Sequence, residues 1–193
     1  MAYLVKELFY SLQGEGARAG RPAVFCRFAG CNLSCDFCDT DHGDGTPYAT
    51  PEELAAACRD LWPGGGRPYL VATGGEPGLQ LNAALIAAFH AVGFEVAVET
   101  NGTRVLPAGI DWITVSPKAG TDLRVTAGDE MKLAYPQAGA EPERYEALQF
   151  RHFFLQPIDG PERKANTAAA IAWCLAHPLW HLSLQTHKIV GIA

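Results

Sequence analysis

The residues best placed to do chemistry are three cysteines within eight positions, in the segment Gly30-Cys-Asn-Leu-Ser-Cys-Asp-Phe-Cys-Asp-Thr40. Thiolates from Cys31, Cys35 and Cys38 can converge on one soft metal centre, because so short a loop closes with little entropy. Two centres fit. Structural zinc takes four ligands in a closed tetrahedron, typically as two separated pairs, and no second Cys-x-x-Cys or His-x-x-x-His pair follows here. His42 would have to be the fourth ligand of such a zinc-binding interaction module. A cubane iron-sulfur cluster takes one cysteine per iron, so three cysteines leave one iron free to bind something else. Cys26 stands apart. On the extended run Pro22 to Phe28 side chains alternate, so Val24, Cys26 and Phe28 share one face while Phe25 and Arg27 share the other. With Arg27 turned toward a polar interior, Cys26 faces the core, where free cysteine behaves as a small hydrophobe. Cys58 and Cys174 fall inside helical apolar patterns and read the same way.

Other polar motifs end strand-like runs. Gly74-Gly75-Glu76-Pro77 follows Tyr69 to Thr73. Two glycines let a ligand approach the backbone, and the exposed carbonyls and Glu76 can accept hydrogen bonds from an ammonium group. Taken alone, the motif is equally an ordinary strand-to-helix turn. Ser116-Pro117-Lys118 and Gln156-Pro157-Ile158-Asp159 offer polar groups for hydroxyls or a base edge, or are Pro-marked turns. Arg27 offers a planar fork suited to a carboxylate, and Gln13, the Gly14 backbone and Glu15 offer mixed donors and acceptors. His187 is either a further ligand group or a surface histidine, and Thr40 either a turn hydroxyl or one oxygen ligand for a hydrated Mg2+.

Together these segments resemble the 7-carboxy-7-deazaguanine synthase family of radical S-adenosylmethionine (SAM) enzymes along essentially the whole chain. The resemblance rests on Cys31-x-x-x-Cys35-x-x-Cys38 with Leu12-Gln13-Gly14-Glu15-Gly16, Arg27, Asp39-Thr40, Thr73-Gly74-Gly75-Glu76-Pro77, Glu99-Thr100-Asn101-Gly102, Ser116-Pro117-Lys118, Gln156-Pro157-Ile158-Asp159 and Gln185-Thr186-His187-Lys188. It implies a 4Fe-4S cluster on Cys31, Cys35 and Cys38, and Mg2+ at Thr40. It implies SAM against Phe37, Cys38, Asp39, Gly75, Glu76, Ser116, Pro117, Lys118, Gln156, Pro157, Ile158 and Asp159. The substrate, 6-carboxy-5,6,7,8-tetrahydropterin, would meet Leu12, Gln13, Gly14, Glu15, Arg27, Thr73, His187 and the carboxylate of Ala193, where the family usually ends in proline. The implied reaction is radical ring contraction with loss of ammonia, giving 7-carboxy-7-deazaguanine for queuosine and related bases. No side chain is implied as the catalyst of the first step. The family also implies an external one-electron donor such as flavodoxin and a homodimer. A glycyl-radical activase shares cluster and cosubstrate, but needs a site open to a polypeptide; the Gln13 and Arg27 set fits a small anionic heterocycle better. Glu99 and Asn101 are not taken as site residues, since Asn101-Gly102 also reads as a turn.

These groups must be held by a framework. Strand-like runs lie at Pro22 to Phe28, Tyr69 to Thr73, Glu95 to Glu99, Trp112 to Val115, Glu130 to Tyr135, Phe153 to Gln156 and His181 to Gln185. A capping box of Thr50, Pro51 and Glu53 opens a helix whose buried stripe is Leu54, Ala57, Cys58 and Leu61. A second helix runs from about Leu81 to Val92, with Gly93 ending it, and a third follows Asn166 and stops at Ala176 before Pro178. Strands alternating with helices predict a parallel α/β sheet, open or curled, with its chemistry at the C-terminal strand ends. The resemblance makes this a partial TIM-type barrel of the radical SAM type. The length agrees, since 193 residues fall short of the roughly 250 of a full barrel.

Composition narrows the classes. A chain of 193 residues forms one domain, 1–193, and needs no disulfide or metal to stay folded. Lys6 and Glu7 break the only signal-like stretch, and Ala83 to Phe94 is too short for a span, so a soluble cytoplasmic protein with reduced thiols is expected. A net charge of -6 without a basic patch argues against nucleic-acid binding.

Overall fold

The computed structural model describes residues 2–192. Among them the strands are β1 (Tyr3–Leu12), β2 (Pro22–Phe28), β3 (Thr46–Tyr48), β4 (Tyr69–Gly74), β5 (Glu95–Thr100), β6 (Trp112–Val115), β7 (Ala127–Tyr135), β8 (Gln149–Pro157) and β9 (Trp180–Leu182). The helices are α1 (Pro51–Asp60), α2 (Ala83–Ala91), α3 (Arg163–Ala176) and α4 (Thr186–Val190). The strands form one sheet in the order β3-β1-β2-β4-β5-β6-β7-β8-β9. All neighbours from β2 to β9 are parallel, and β1 runs antiparallel between β3 and β2. The parallel α/β frame is therefore as the sequence implies, and the sheet does not close. Among the described residues, no α-helix intervenes between β5 and β6, β6 and β7, or β7 and β8, which is how the frame fits a short chain. None of the described helices is long and apolar enough to cross a membrane.

Strand alternation sorts the side chains into two layers. Outward-facing Val24, Cys26, Phe28, Leu70, Ala72, Val96 and Val98 pack with Leu54 and Cys58 of α1 and Leu85 and Phe89 of α2. Val115, Met131, Leu133 and Leu155 pack similarly with Ala170 of α3. Each fully buried Leu or Phe here stabilises the fold by about 2 kcal/mol. Inward-facing Phe25, Tyr69, Val71 and Ala97 make a smaller apolar cluster. In the same inward register stand Arg27, Thr73, Glu99, Thr114, Glu130 and Lys132. Cys26 and Cys58 are both fully buried in the outer layer.

Local chemistry sets the element ends, and departs from expectation in places. The Thr50 hydroxyl accepts from the Glu53 amide at 3.1 Å, and Glu53 accepts from Ala49 N at 2.7 Å, one residue upstream of the usual reciprocal partner. The buried face of α1 is Leu54, Ala55 and Cys58, so Ala55 takes the place expected for Ala57. α2 starts later than expected, because Asn82 caps it by accepting from Leu85 N at 3.0 Å, and Gly93 ends it at φ +94°. α3 starts at Arg163, not after Asn166, whose Nδ2 instead donates back to the Ile158 carbonyl at 2.9 Å. The run His181 to Gln185 leaves the sheet at Leu182 and turns into α4.

Candidate active site

The cysteine loop leaves the C-terminal end of β2 and is pinned at its neck, where Gly30 N donates to His42 O at 2.7 Å. The end of β4 presses against it. Gly75 N donates to Phe28 O at 3.1 Å and Glu76 N to Gly30 O at 2.9 Å. A methyl group on Gly75 would overlap the Gly30 carbonyl, and Gly74 sits at φ +129° against the Phe28 backbone. Both glycines are therefore required by close approach. Cys31, Cys35 and Cys38 are free thiols and all line one cavity of about 330 Å³. Burial pushes the Cys35 thiol above its ordinary pKa, against the pull of Lys118. Among the described residues, no three His, Cys, Asp or Glu side chains gather closely enough to hold a single metal ion. The zinc arrangement with His42 needs such a gathering, whereas a cubane spreads its three thiolates over three irons. The donor set accordingly fits a cluster.

Beside the loop, Phe37, Asp39 and Thr40 line the same cavity, as do Ser116, Lys118, Gln156, Pro157, Ile158 and Asp159. Lys118 Nζ donates to the Ser116 carbonyl and hydroxyl at 2.6 and 2.8 Å, which folds the motif into a compact turn. Pro117 does not face the cavity and shapes this turn instead. Glu76 needs correction. Its side chain is fully buried and accepts from Gly78 N, Thr100 Oγ1 and Asn101 N at 2.7, 2.6 and 2.7 Å. A carboxylate so occupied has no capacity for a ligand ammonium, which leaves that task to the backbone around Gly74 and Gly75.

On the opposite side, Leu12, Gln13, Gly14, Glu15, Arg27, Thr73 and His187 line the cavity. Arg27 Nε donates to Glu7 Oε1 at 2.6 Å, which leaves its terminal nitrogens for an incoming anion. A methyl group on Gly14 would overlap the His187 ring, and Thr186 N donates to Gly14 O at 3.0 Å. The turn and the C-terminal segment thus interlock. Ala193 lies outside the described residues.

Two inward residues not identified from sequence organise this side. Lys132 pairs closely with Glu15 and at 3.1 Å with Glu99. Glu99 in turn accepts from Gln13 Nε2 at 3.2 Å and from Thr73 Oγ1 at 3.0 Å. Burial alone would lower the Lys132 pKa, but the charges of Glu15, Glu99 and Glu130 carry it above the ordinary lysine range. Burial would raise Glu15, and Lys132 outweighs it, so that carboxylate stays ionised. The available signal was charge at period two on a buried strand, Glu130 and Lys132 flanking Met131.

Comparisons with known proteins agree with this geometry. The radical SAM superfamily model matches residues 26–135. A 7-carboxy-7-deazaguanine synthase of Caulobacter vibrioides is 55% identical, with all of both chains aligned. One from Bacteroides thetaiotaomicron is 47% identical over 97% of each chain. The crystal structure of QueE from Escherichia coli superposes with a TM-score of 0.77 at 30% identity, covering 95% of this chain and 94% of that one.

Proposed function

Since the chain belongs to the 7-carboxy-7-deazaguanine synthase family of the radical SAM superfamily, we propose how its cavity divides the work of converting 6-carboxy-5,6,7,8-tetrahydropterin to 7-carboxy-7-deazaguanine with loss of ammonia. Cys31, Cys35 and Cys38 hold a 4Fe-4S cluster, and the Gly74–Gly75 backbone, Ser116, Lys118, Gln156 and Asp159 hold SAM beside it. When bound, these groups supply the one-electron chemistry that starts the rearrangement. Arg27 takes the substrate carboxylate, and Thr40 with bound waters holds Mg2+ against the same group. His187 packs on the substrate from the Gly14 side.

The observation that carries this division is the composition of the cavity's inner wall. Glu15 and Glu99 share one ammonium, Lys132, so the wall holds more acceptors than donors. A reduced pterin presents several N–H donors along one edge, which such a wall is built to receive. The remaining parts of the proposal are a cytoplasmic location, a flavodoxin-like electron donor and a homodimer. The apolar residues Ile171, Leu175 and Leu179, exposed at helical spacing on and just after α3, support the last.

Anaerobic reconstitution tests the assignment. The expected result is a brown protein that converts the carboxylated tetrahydropterin with SAM and reductant, faster with Mg2+. A colourless zinc protein would overturn the cluster. SAM cleavage without turnover of the pterin would overturn the substrate assignment, and no response to Mg2+ would remove Thr40 from the scheme.

A further inference from the structure

Lys188 belongs to none of the groups assigned to cluster, SAM or substrate, yet it touches two of them. Its Nζ stands 2.6 Å from Asp39 Oδ2 and 2.7 Å from Asp159 Oδ2. Asp39 follows the last cysteine of the loop beyond β2, and Asp159 closes the motif beyond β8, far away in the strand order. One ammonium therefore joins two distant walls of the cavity. Its neighbours on the chain strengthen the tie. Gln185 Nε2 donates to Asp39 Oδ2 and to Glu15 Oε1, each at 3.1 Å.

Apolar burial does not hold this segment down, because Ile189 and Val190 of α4 are 64% and 65% exposed. The polar bridge does. A single exposed ion pair contributes little, but two charge-assisted hydrogen bonds converging on one partly covered ammonium fix direction as well as distance. Lys188, Asp159 and Gln185 also border a second cavity of about 230 Å³, bounded further by Arg163, Thr167 and Ile189. The same three residues line the main cavity, so the bridge forms part of the partition between the two.

We propose that Lys188 is a positioning residue: by bridging Asp39 and Asp159 it sets the separation between the cysteine loop and the end of β8, and with it the fit of SAM against the cluster. The proposal rests on the assignment of Asp39 and Asp159 to the SAM side. Without the bridge the two walls move independently and the SAM pocket opens toward the side cavity.

The test compares wild type, Lys188→Met and Lys188→Arg as reconstituted holoenzymes. SAM affinity is read from its effect on the spectrum of the reduced cluster, and amide hydrogen exchange is followed in ligand-free protein over residues 36–40 and 183–192. Lys188→Met should weaken SAM binding and raise the KM for SAM by roughly tenfold, while the KM for the pterin changes less than about twofold. Exchange in both segments should quicken. Lys188→Arg should restore most of the affinity, since a guanidinium fork can span two carboxylates. Wild-type SAM affinity in Lys188→Met overturns the inference, whatever the exchange shows. Equal losses for SAM and pterin mean general loosening and overturn it too. A wild-type cluster spectrum indifferent to SAM refutes the underlying site assignment, and the inference falls with it.

Discussion

At the N-terminal end of the parallel strands Arg18 and Arg21 converge on Glu95, the first residue of β5, whereas at the other end Lys132 is met by Glu15 and Glu99. One connection, the segment between β1 and β2, contributes to both ends. Its Gln13, Gly14 and Glu15 line the cavity, while its Arg18 and Arg21 lie over Tyr69, with Arg18 also 4.0 Å from the Trp112 ring centre. At the Arg end every charge has a partner and the guanidinium faces are covered by aromatic rings, so nothing is left for a ligand. At the Lys end the acceptors outnumber the ammonium in an open cavity. Similar residue types thus close one end and equip the other, and the difference lies in the ratio of donors to acceptors and in what covers them.

The largest expected effect belongs to the open end. Cys35→Ala should lose the cluster, its absorbance and turnover, with little change in thermal stability. Cys26→Ala should keep iron and activity and cost about 1 kcal/mol through a small core cavity. Equal iron loss in both variants would break the separation of the two sheet faces. Next comes the closed end. Glu95→Gln should lower stability by about 2 kcal/mol in urea titrations while leaving SAM affinity unchanged. Arg21, with Arg18 beside it, holds the Glu95 pKa down to about 2, from an ordinary 4.5. A carboxylate depressed in the folded state stabilises fully above the unfolded value and loses that contribution as pH falls from 4.5 toward 2. Wild type should therefore lose more stability than Glu95→Gln over that interval, and parallel curves would show that this pairing is not what closes the end. Smallest is Gly14→Ala, whose methyl displaces His187: the KM for the pterin should rise roughly tenfold at constant SAM affinity. An unchanged KM would remove His187 from the substrate wall.

Several parts of this arrangement were visible in the chain itself. β2 and β6 run where their apolar residues begin and end, because turn-forming residues bound them. The cysteine loop was legible through spacing, and Thr50 through its cap. β1 was not read, because Tyr3–Leu12 interleaves Lys6, Glu7 and Ser11 with its apolar residues and lies antiparallel near the sheet edge, where patterning is weaker. Asn166 looked like a helix cap, because its side chain does bond to backbone, although to Ile158 from inside the helix. Glu76 carried the right residue type for an ammonium ligand, and only its three actual donors show that it is spent on holding Thr100 and Asn101. Lys132 was hidden for the opposite reason: a lysine in a strand reads as solvent-facing until the curvature of the sheet turns that face inward.

The contact of Gly75 with the Gly30 carbonyl has a consequence for how such a protein can change or be rebuilt. Where two backbones touch with no room for a methyl group, neither segment keeps its shape when the other is exchanged. Residues 30–40 and 74–76, distant along the chain, therefore constitute one transplantable module. A chimera that imports the cysteine loop alone inherits its ligands and loses the surface that aims them.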